Sequence, residues 1–172
     1  MLISDQMNAA LNEQLGHEFG AELQYVSIAT YFDGDGLPEL AQHFYRQAEE
    51  ERMHAMRFVN YVVDAGGKVL IPAIPAPKSG FASAEAAVKL SVDWEVTVTR
   101  QINALVDLAI KENDHITENF LRWFVTEQLE EVSSMETLLS IVRRAGANLL
   151  FVEEYIMRRG GGGKAGAEAT AG

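Results

Sequence analysis

The sequence contains no cysteine and no long apolar run, and each absence excludes a class of protein. It also has only four prolines. Without Cys the chain forms no disulfide, no thiolate metal site and no cysteine nucleophile. No apolar run approaches the roughly 20 residues that a transmembrane helix requires. The amino terminus also lacks the basic start and apolar stretch of a signal peptide. We therefore expect no membrane partner and a location in the cytoplasm.

Basic residues are scarce as well. The chain has 14 Lys and Arg against 25 Asp and Glu, which gives a formal net charge of -11. Because a nucleic-acid partner requires a basic surface, this balance argues against one. The length of 172 residues suits one domain of ordinary size. We place that domain at residues 1–159 and predict a flexible, Gly- and Ala-rich tail at residues 160–172.

Four long helical segments are separated by Gly, Pro and Asn-Asp breaks. We predict helices at about residues 5–32, 38–65, 83–111 and 115–144, with a short fifth helix at 148–159. Short turns within the first and second pairs predict two antiparallel hairpins. The connector at residues 68–83 carries three of the four prolines and is predicted to be extended. Its about 16 residues can span about 50 Å, the full length of a helix. The prediction is an all-α four-helix bundle with one long crossover and a short carboxy-terminal helix.

The stripe that each long helix turns toward the bundle core is apolar near both ends and acidic in the middle. The central residues are Glu18, Glu51, Glu95 and Glu131, one on each helix. Glu18 and Glu51 are equally distant from the first turn, and Glu95 and Glu131 are equally distant from the second. With an equal rise per residue, all four carboxylates are therefore expected in one layer of the bundle.

Four buried carboxylates need compensating charge, because each unpaired buried charge costs several kcal/mol. No Lys or Arg lies on these stripes, whereas two divalent cations would cancel four negative charges. His54 lies three residues after Glu51, so the two side chains share a helix face and can bind one ion together. Oxygen ligands with a single imidazole favour iron or manganese. Di-iron bundles use this Glu-x-x-His arrangement twice, but here Gln128-x-x-Glu131 stands where the second copy would be.

At these residues the sequence resembles the non-haem bacterial ferritins, from about residue 11 to residue 159. The matching segments are Gly16-His17-Glu18 with Tyr25, Glu49-Glu50-Glu51-Arg52-Met53-His54, Trp94-Glu95, and residues 123–131. The resemblance implies that Glu18, Glu51 and His54 hold one iron, that Glu51, Glu95 and Glu131 hold the other, and that Glu51 bridges them. Gln128 would lie beside the second iron, and Tyr25 would lie next to the centre.

The resemblance further implies a third iron site made by Glu50, Glu127 and Glu130 with a share of Glu131. It implies a ferroxidase that oxidises Fe²⁺ with dioxygen or peroxide and stores the ferric mineral in a homo-oligomeric shell of 24 subunits. The fifth helix would line the four-fold contacts of that shell. Bacterioferritins place a haem-binding methionine directly after the glutamate of the second helix. Arg52 occupies that position here, so we expect no haem.

Several alternatives remain open at this point. Gln128 is equally compatible with ligation and with hydrogen bonding to a ligand. Glu50, Glu127 and Glu130 also suit an ordinary charged helix surface, and Glu22 is expected to hydrogen-bond near Gln47 or Tyr25. A small di-iron oxidase acting on an organic substrate is the alternative enzyme, although bulky core aromatics leave it little room. A scaffold bundle would explain the helices but not the acidic layer.

Overall fold

The computed structural model describes residues 2–160, and these form five helices with no β-strand among them. The helices are α1 (Asp5–Gly34), α2 (Pro38–Asp64), α3 (Ala84–Glu112), α4 (His115–Ala145) and α5 (Leu150–Gly160). The predicted all-α bundle is confirmed, and each predicted helix boundary lies within about two residues of the observed one. The predicted flexible tail lies outside the described residues, apart from Gly160, which ends α5.

Local capping residues determine where most helices begin and end. The hydroxyl of Ser4 accepts the Met7 N–H at 2.9 Å at the start of α1, and Ser83 accepts the Ala86 N–H at 3.1 Å at the start of α3. Asp114 caps α4 by accepting the Thr117 N–H at 3.0 Å. Asn113, between α3 and α4, adopts a left-handed conformation with φ of 56°, which allows the tight turn of the second hairpin.

The long crossover lies against α1 and is held there by side-chain amides. Gln24 accepts the Lys78 N–H at 2.8 Å and donates to the Lys78 carbonyl at 3.0 Å. Asn12 donates to the Lys68 carbonyl and accepts the Leu70 N–H. Gly16 is needed where the crossover passes closest to α1, because a Cβ there would lie 2.3 Å from Cγ of Pro72. These contacts fix the two hairpins in one arrangement.

Two apolar clusters fill the bundle, one on each side of the polar layer that contains the predicted acidic residues. One cluster includes Phe32, Phe44 and Met135, and the other includes Leu11, Phe58 and Phe124. These clusters confirm that the stripes are apolar toward both ends. Each buried Phe contributes roughly 1.5–3 kcal/mol through its apolar area, so the clusters stabilise the fold while the layer between them places charged groups inside it.

No helix within residues 2–160 is long and apolar enough to span a lipid bilayer.

Candidate metal centre

The four predicted carboxylates are buried in one region of the bundle. Glu18 and Glu95 are each 1% exposed, Glu51 is 2% exposed and Glu131 is 4% exposed. His54 is also buried, and its Nδ1 lies 3.4 Å from Glu51 Oε2 and 3.8 Å from Glu18 Oε2. One ligand atom from each of these three residues lies within 4.8 Å of the other two. The α1–α2 hairpin therefore presents two carboxylates and an imidazole at the spacing of a metal site.

The carboxylates of α3 and α4 are held by neutral hydrogen-bond donors. The Tyr25 hydroxyl donates to Glu95 Oε1, and Gln128 Nε2 donates to Glu95 Oε2 at 3.1 Å. Gln47 Nε2, on α2, reaches across the bundle to Glu131 Oε2 at 2.9 Å. The structure thus places Gln128 as a donor to a predicted ligand, and both oxygens of Glu95 accept a hydrogen bond.

The carboxylates of α1 and α2 accept fewer hydrogen bonds than those of α3 and α4. Gln14 Nε2 donates to Glu18 Oε1 at 2.7 Å. Glu18 Oε2 and Glu51 Oε1 are buried and accept no hydrogen bond from an N–H or hydroxyl group within residues 2–160, and the two carboxyl groups lie close enough to share a proton. Buried polar atoms are rarely left without a partner, because doing so costs the full desolvation free energy of the group. Two such oxygens, on neighbouring helices and near one imidazole, indicate a position for a cation.

Burial and mutual repulsion raise the pKa values of all four carboxyl groups. Burial is the main cause for each group, and the negative charges of neighbouring glutamates add to it for Glu18, Glu51 and Glu131. The pKa of Glu131 rises to about 8. Burial, followed by repulsion from Glu95, also raises the pKa of the Tyr25 hydroxyl well above its usual value, so Tyr25 remains a donor. Without a cation the layer therefore retains protons.

No Lys or Arg of the described chain forms an ion pair with these four carboxylates. Arg57 instead packs over the Trp123 ring, with its guanidinium carbon 3.8 Å from the ring centroid. The edges of Trp123 and Phe124 in turn pack against His54. The Glu22 carboxylate is partly exposed and lies 4.0 Å from Arg52, so the predicted hydrogen bond near Gln47 or Tyr25 is wrong.

The residues of the predicted third site lie beside the buried layer: after burial and the charge of Glu95, the charge of Glu50 is among the causes that raise the pKa values of Glu51 and Glu131. Glu127 lies with His54 and Glu131, and one ligand atom from each of the three residues lies within 4.8 Å of the others. Glu50 and Glu130 line a surface groove of about 820 Å³ between α2, α4 and α5, which also contacts Gln47 and Glu131. This groove connects one edge of the buried layer with the protein surface.

Gln14 and Gln47 were not identified as partners of the carboxylates from the sequence. Gln14 lies four residues before Glu18 on the same helix, so the i,i+4 spacing could have predicted the hydrogen bond between them. Gln47 also lies on the core stripe, but its bond to Glu131 crosses from α2 to α4 and depends on the packing of the two hairpins.

Comparison with known proteins agrees with this geometry. The family model of the ferritin-like domain matches residues 8–145. The chain is 44% identical over 169 residues to ferritin BfrB of Mycolicibacterium smegmatis, an alignment that covers 98% of this chain and 92% of that protein. It is 36% identical over 155 residues to a bacterial non-heme ferritin of Staphylococcus aureus, covering 89% and 93% of the two chains.

Among solved structures, an open-pore ferritin from the archaeon Archaeoglobus fulgidus superposes with a TM-score of 0.87 at 38% identity. That superposition covers 90% of this chain and 97% of the archaeal one. A fold match, a family match over most of the bundle and the buried carboxylate layer all lead to one assignment: the chain belongs to the ferritin family.

Proposed function

We propose that this protein oxidises Fe²⁺ at a two-iron site inside the bundle and stores the ferric product as mineral within a hollow shell of 24 copies. The observation that carries the proposal is the pair of buried oxygens Glu18 Oε2 and Glu51 Oε1, to which no N–H or hydroxyl group of the described residues donates. They lie in a layer of four carboxylates that no basic side chain of the described residues neutralises. Divalent cations are the simplest compensation for this charge.

In this proposal Fe²⁺ is the substrate, and each protein group has a defined part. Glu18 and His54 bind the first iron, Glu95 and Glu131 bind the second, and Glu51 lies between them. Carboxylate oxygens with one imidazole suit iron. Gln14, Gln47, Gln128 and Tyr25 orient the carboxylates by donating hydrogen bonds to their other oxygens. Because the carboxyl pKa values are raised, binding Fe²⁺ displaces protons to solvent.

The oxidation balances with two irons. Two Fe²⁺ together give up two electrons, which reduce dioxygen to hydrogen peroxide or hydrogen peroxide to water, with protons taken from solvent. A site that binds two irons side by side therefore matches a two-electron oxidant. The proposal includes no haem, because Arg52 occupies the position directly after Glu51 where the bacterioferritins place their haem-binding methionine.

The relatives named ferritin support iron storage, a homo-oligomeric state and a cytoplasmic location for this chain. A third iron would be held by Glu50, Glu127 and Glu130 with a share of Glu131, and a ligand atom of Glu127 lies within 4.8 Å of one of Glu131. Asp114, Glu118 and Asn119, at the start of α4, would line an entry pore. In the structure, Glu118 contacts Arg122, which weakens the negative field that such a pore needs.

The experiment is aerobic addition of two Fe²⁺ per chain to the metal-free protein, followed by ferric absorbance in the near ultraviolet. The proposal predicts oxidation much faster than in buffer, and a loss of that rate in Glu51→Ala. Glu49→Gln, an exposed change on the same helix, is the matched control and should oxidise Fe²⁺ as fast as wild type. Rates equal to buffer, or an unaffected Glu51→Ala, would contradict the ferroxidase assignment.

A di-iron oxidase of organic substrates remains the second candidate, and the groove of about 820 Å³ that contacts Glu131 is the observation that favours it. Against it, Phe44, Phe58 and Phe124 are at most 1% exposed and leave no opening through the core. Particle mass measured together with iron content separates the two candidates. A large hollow particle that retains iron supports storage, whereas a monomer or dimer without a mineral supports the oxidase.

A further inference from the structure

The short helix α5 is anchored by few apolar contacts, made by Val152 and Ile156 together with the half-buried Tyr155, which packs against the same core cluster. Its two fully packed apolar side chains are Val152, which is 0% exposed, and Ile156, which is 6% exposed. A helix of 11 residues does not persist in water without tertiary contacts. Its position must therefore depend strongly on whatever else connects it to the bundle.

That connection is the buried carboxylate of Glu153, which is 8% exposed. Its Oε2 accepts the N–H of Glu39 at 2.9 Å, and its Oε1 accepts the N–H of Leu40 at 2.8 Å. These donors lie in the first turn of α2, where orphan N–H groups and the helix dipole favour an anion. A side chain of α5 therefore caps a helix more than 110 residues earlier in the chain.

The first turn of α2 has no local alternative to this cap. Pro38 provides no N–H, and the residue before it, Leu37, makes no side-chain hydrogen bond to the helix. In α1, α3 and α4 the cap is a Ser or Asp directly before the helix. Because both Glu153 oxygens are used, the interaction fixes the height and the rotation of α5 relative to α2.

The orientation of α5 determines which side chains it presents outward. Leu150, Phe151 and Met157 are 72%, 53% and 57% exposed, and Leu150 and Met157 lie on one face at i,i+7 spacing. Glu154 forms an ion pair with Arg158 on the exposed surface. A face with apolar groups and charges of both signs is self-complementary and suits contact with further copies of the same helix.

We propose that Glu153 is the positioning residue that holds α5 in the orientation needed for contacts between copies of this chain. This inference rests on the proposed shell and adds the residue on which its α5 contacts depend. Loss of the carboxylate removes the cap of α2 and releases α5. All ligands of the proposed two-iron site lie on α1 to α4, so we expect that site to stay assembled when α5 is released, although α5 lines the groove beside Glu131.

The test compares Glu153→Ala and Glu153→Gln with the control Glu49→Gln, an exposed glutamate on α2 that lies outside the α5 contact face. Particle mass is measured by analytical ultracentrifugation over a range of concentrations, and amide hydrogen exchange is measured at Glu39, Leu40 and α5. We expect Glu153→Ala to dissociate at concentrations about tenfold or more above wild type, with faster exchange at those amides. The core amides of α1 to α4 should stay protected, and the Fe²⁺ oxidation rate per chain should be retained.

Glu153→Gln keeps one acceptor oxygen and should give an intermediate mass distribution and intermediate exchange, while Glu49→Gln should match wild type. Wild-type mass and exchange in both Glu153 variants would overturn the inference. If Glu153→Ala unfolds throughout, Glu153→Gln decides: an intermediate result supports the inference and a wild-type result overturns it. A wild-type protein that is itself monomeric would instead contradict the shell, and the exchange data would still test whether Glu153 holds α5.

Discussion

The two hairpins contribute to the same metal centre, but they prepare their carboxylates differently. In the α1–α2 hairpin, Glu18 Oε2 and Glu51 Oε1 are buried and accept no hydrogen bond from an N–H or hydroxyl group within the described residues. In the α3–α4 hairpin, Glu95 accepts hydrogen bonds at both oxygens, and Glu131 accepts one from Gln47. The four glutamates thus lie at one depth in the bundle but differ in how many hydrogen bonds the protein donates to them.

This difference indicates which half of the centre depends more on a cation. A buried oxygen without a donor must be compensated by a proton or a metal ion, because water cannot reach it. An oxygen that accepts from an amide or a phenol is already partly stabilised. Metal affinity in the α1–α2 half should therefore depend most on its carboxylates. Metal affinity in the α3–α4 half should also depend on the groups that donate hydrogen bonds to its carboxylates.

The largest effect is expected from Glu18→Gln, which removes a carboxylate from the unsatisfied half. Metal affinity at the position formed with Glu51 and His54 should fall by more than about 100-fold, because a ligand is lost outright rather than only its orienting partner. The metal-free protein should become more stable, since one buried ionisable group is gone. Anaerobic Fe²⁺ titration measures the loss of affinity, and thermal unfolding measures the gain in stability of the metal-free protein. Glu49→Gln is the exposed control for both.

Next in size are Gln14→Leu and Gln47→Leu, which each remove one donor while keeping side-chain volume. Removing such orienting groups costs about 10- to 100-fold in metal affinity. Gln14→Leu should weaken the ion bound by Glu18, and Gln47→Leu should weaken the ion bound by Glu131. Stepwise Co²⁺ binding followed by visible absorption distinguishes the two steps. Equal weakening of both steps by either variant would contradict the separation of the two halves.

The pH dependence of stability provides a third comparison. A carboxyl whose folded-state pKa is raised binds more protons in the native state than in the unfolded state, so its stabilising effect is lost as pH rises. For Glu131 the window runs from its ordinary pKa of 4.5 to about 8. As pH rises through this window, the free energy of unfolding of the metal-free protein should fall by up to about 1.4 kcal/mol per pH unit for each such carboxyl.

Urea unfolding at several pH values measures this slope. Glu131→Gln should flatten the slope between pH 4.5 and about 8, and saturating metal should flatten it further. An unchanged slope in Glu131→Gln would show that this carboxyl does not hold a proton in the metal-free protein.

The smallest effect is expected from Glu127→Gln, compared with Glu130→Gln. Glu127 lies near Glu131 but is only half-buried, so water can replace it as a ligand, and its loss should weaken binding of a third ion by about tenfold, the low end of the range for a lost partner at a metal site. Glu130→Gln, in the groove, should change that binding less. A titration with three Fe²⁺ per chain under anaerobic conditions measures both, and a larger effect of Glu130→Gln would contradict this order.

The helices and the acidic layer were predictable because they depend on spacing alone. Counting from each turn placed Glu18 with Glu51 and Glu95 with Glu131, and Pro and Gly marked the crossover. Features that depend on packing between elements were not predictable. The reach of Gln47 to Glu131 depends on hairpin packing, and the partial exposure of Glu22 reflects the drift of a straight helix from a strict seven-residue repeat. The cap that Glu153 provides depends on the path of the loop after α4.

The most direct test of a cation pair in the buried layer is anomalous X-ray diffraction from crystals grown with Fe²⁺ under anaerobic conditions. The account predicts two iron peaks per chain, one between Glu18, Glu51 and His54 and one between Glu51, Glu95 and Glu131. Iron found only at exposed acidic residues, with the four carboxylates still hydrogen-bonded among protein groups, would contradict it.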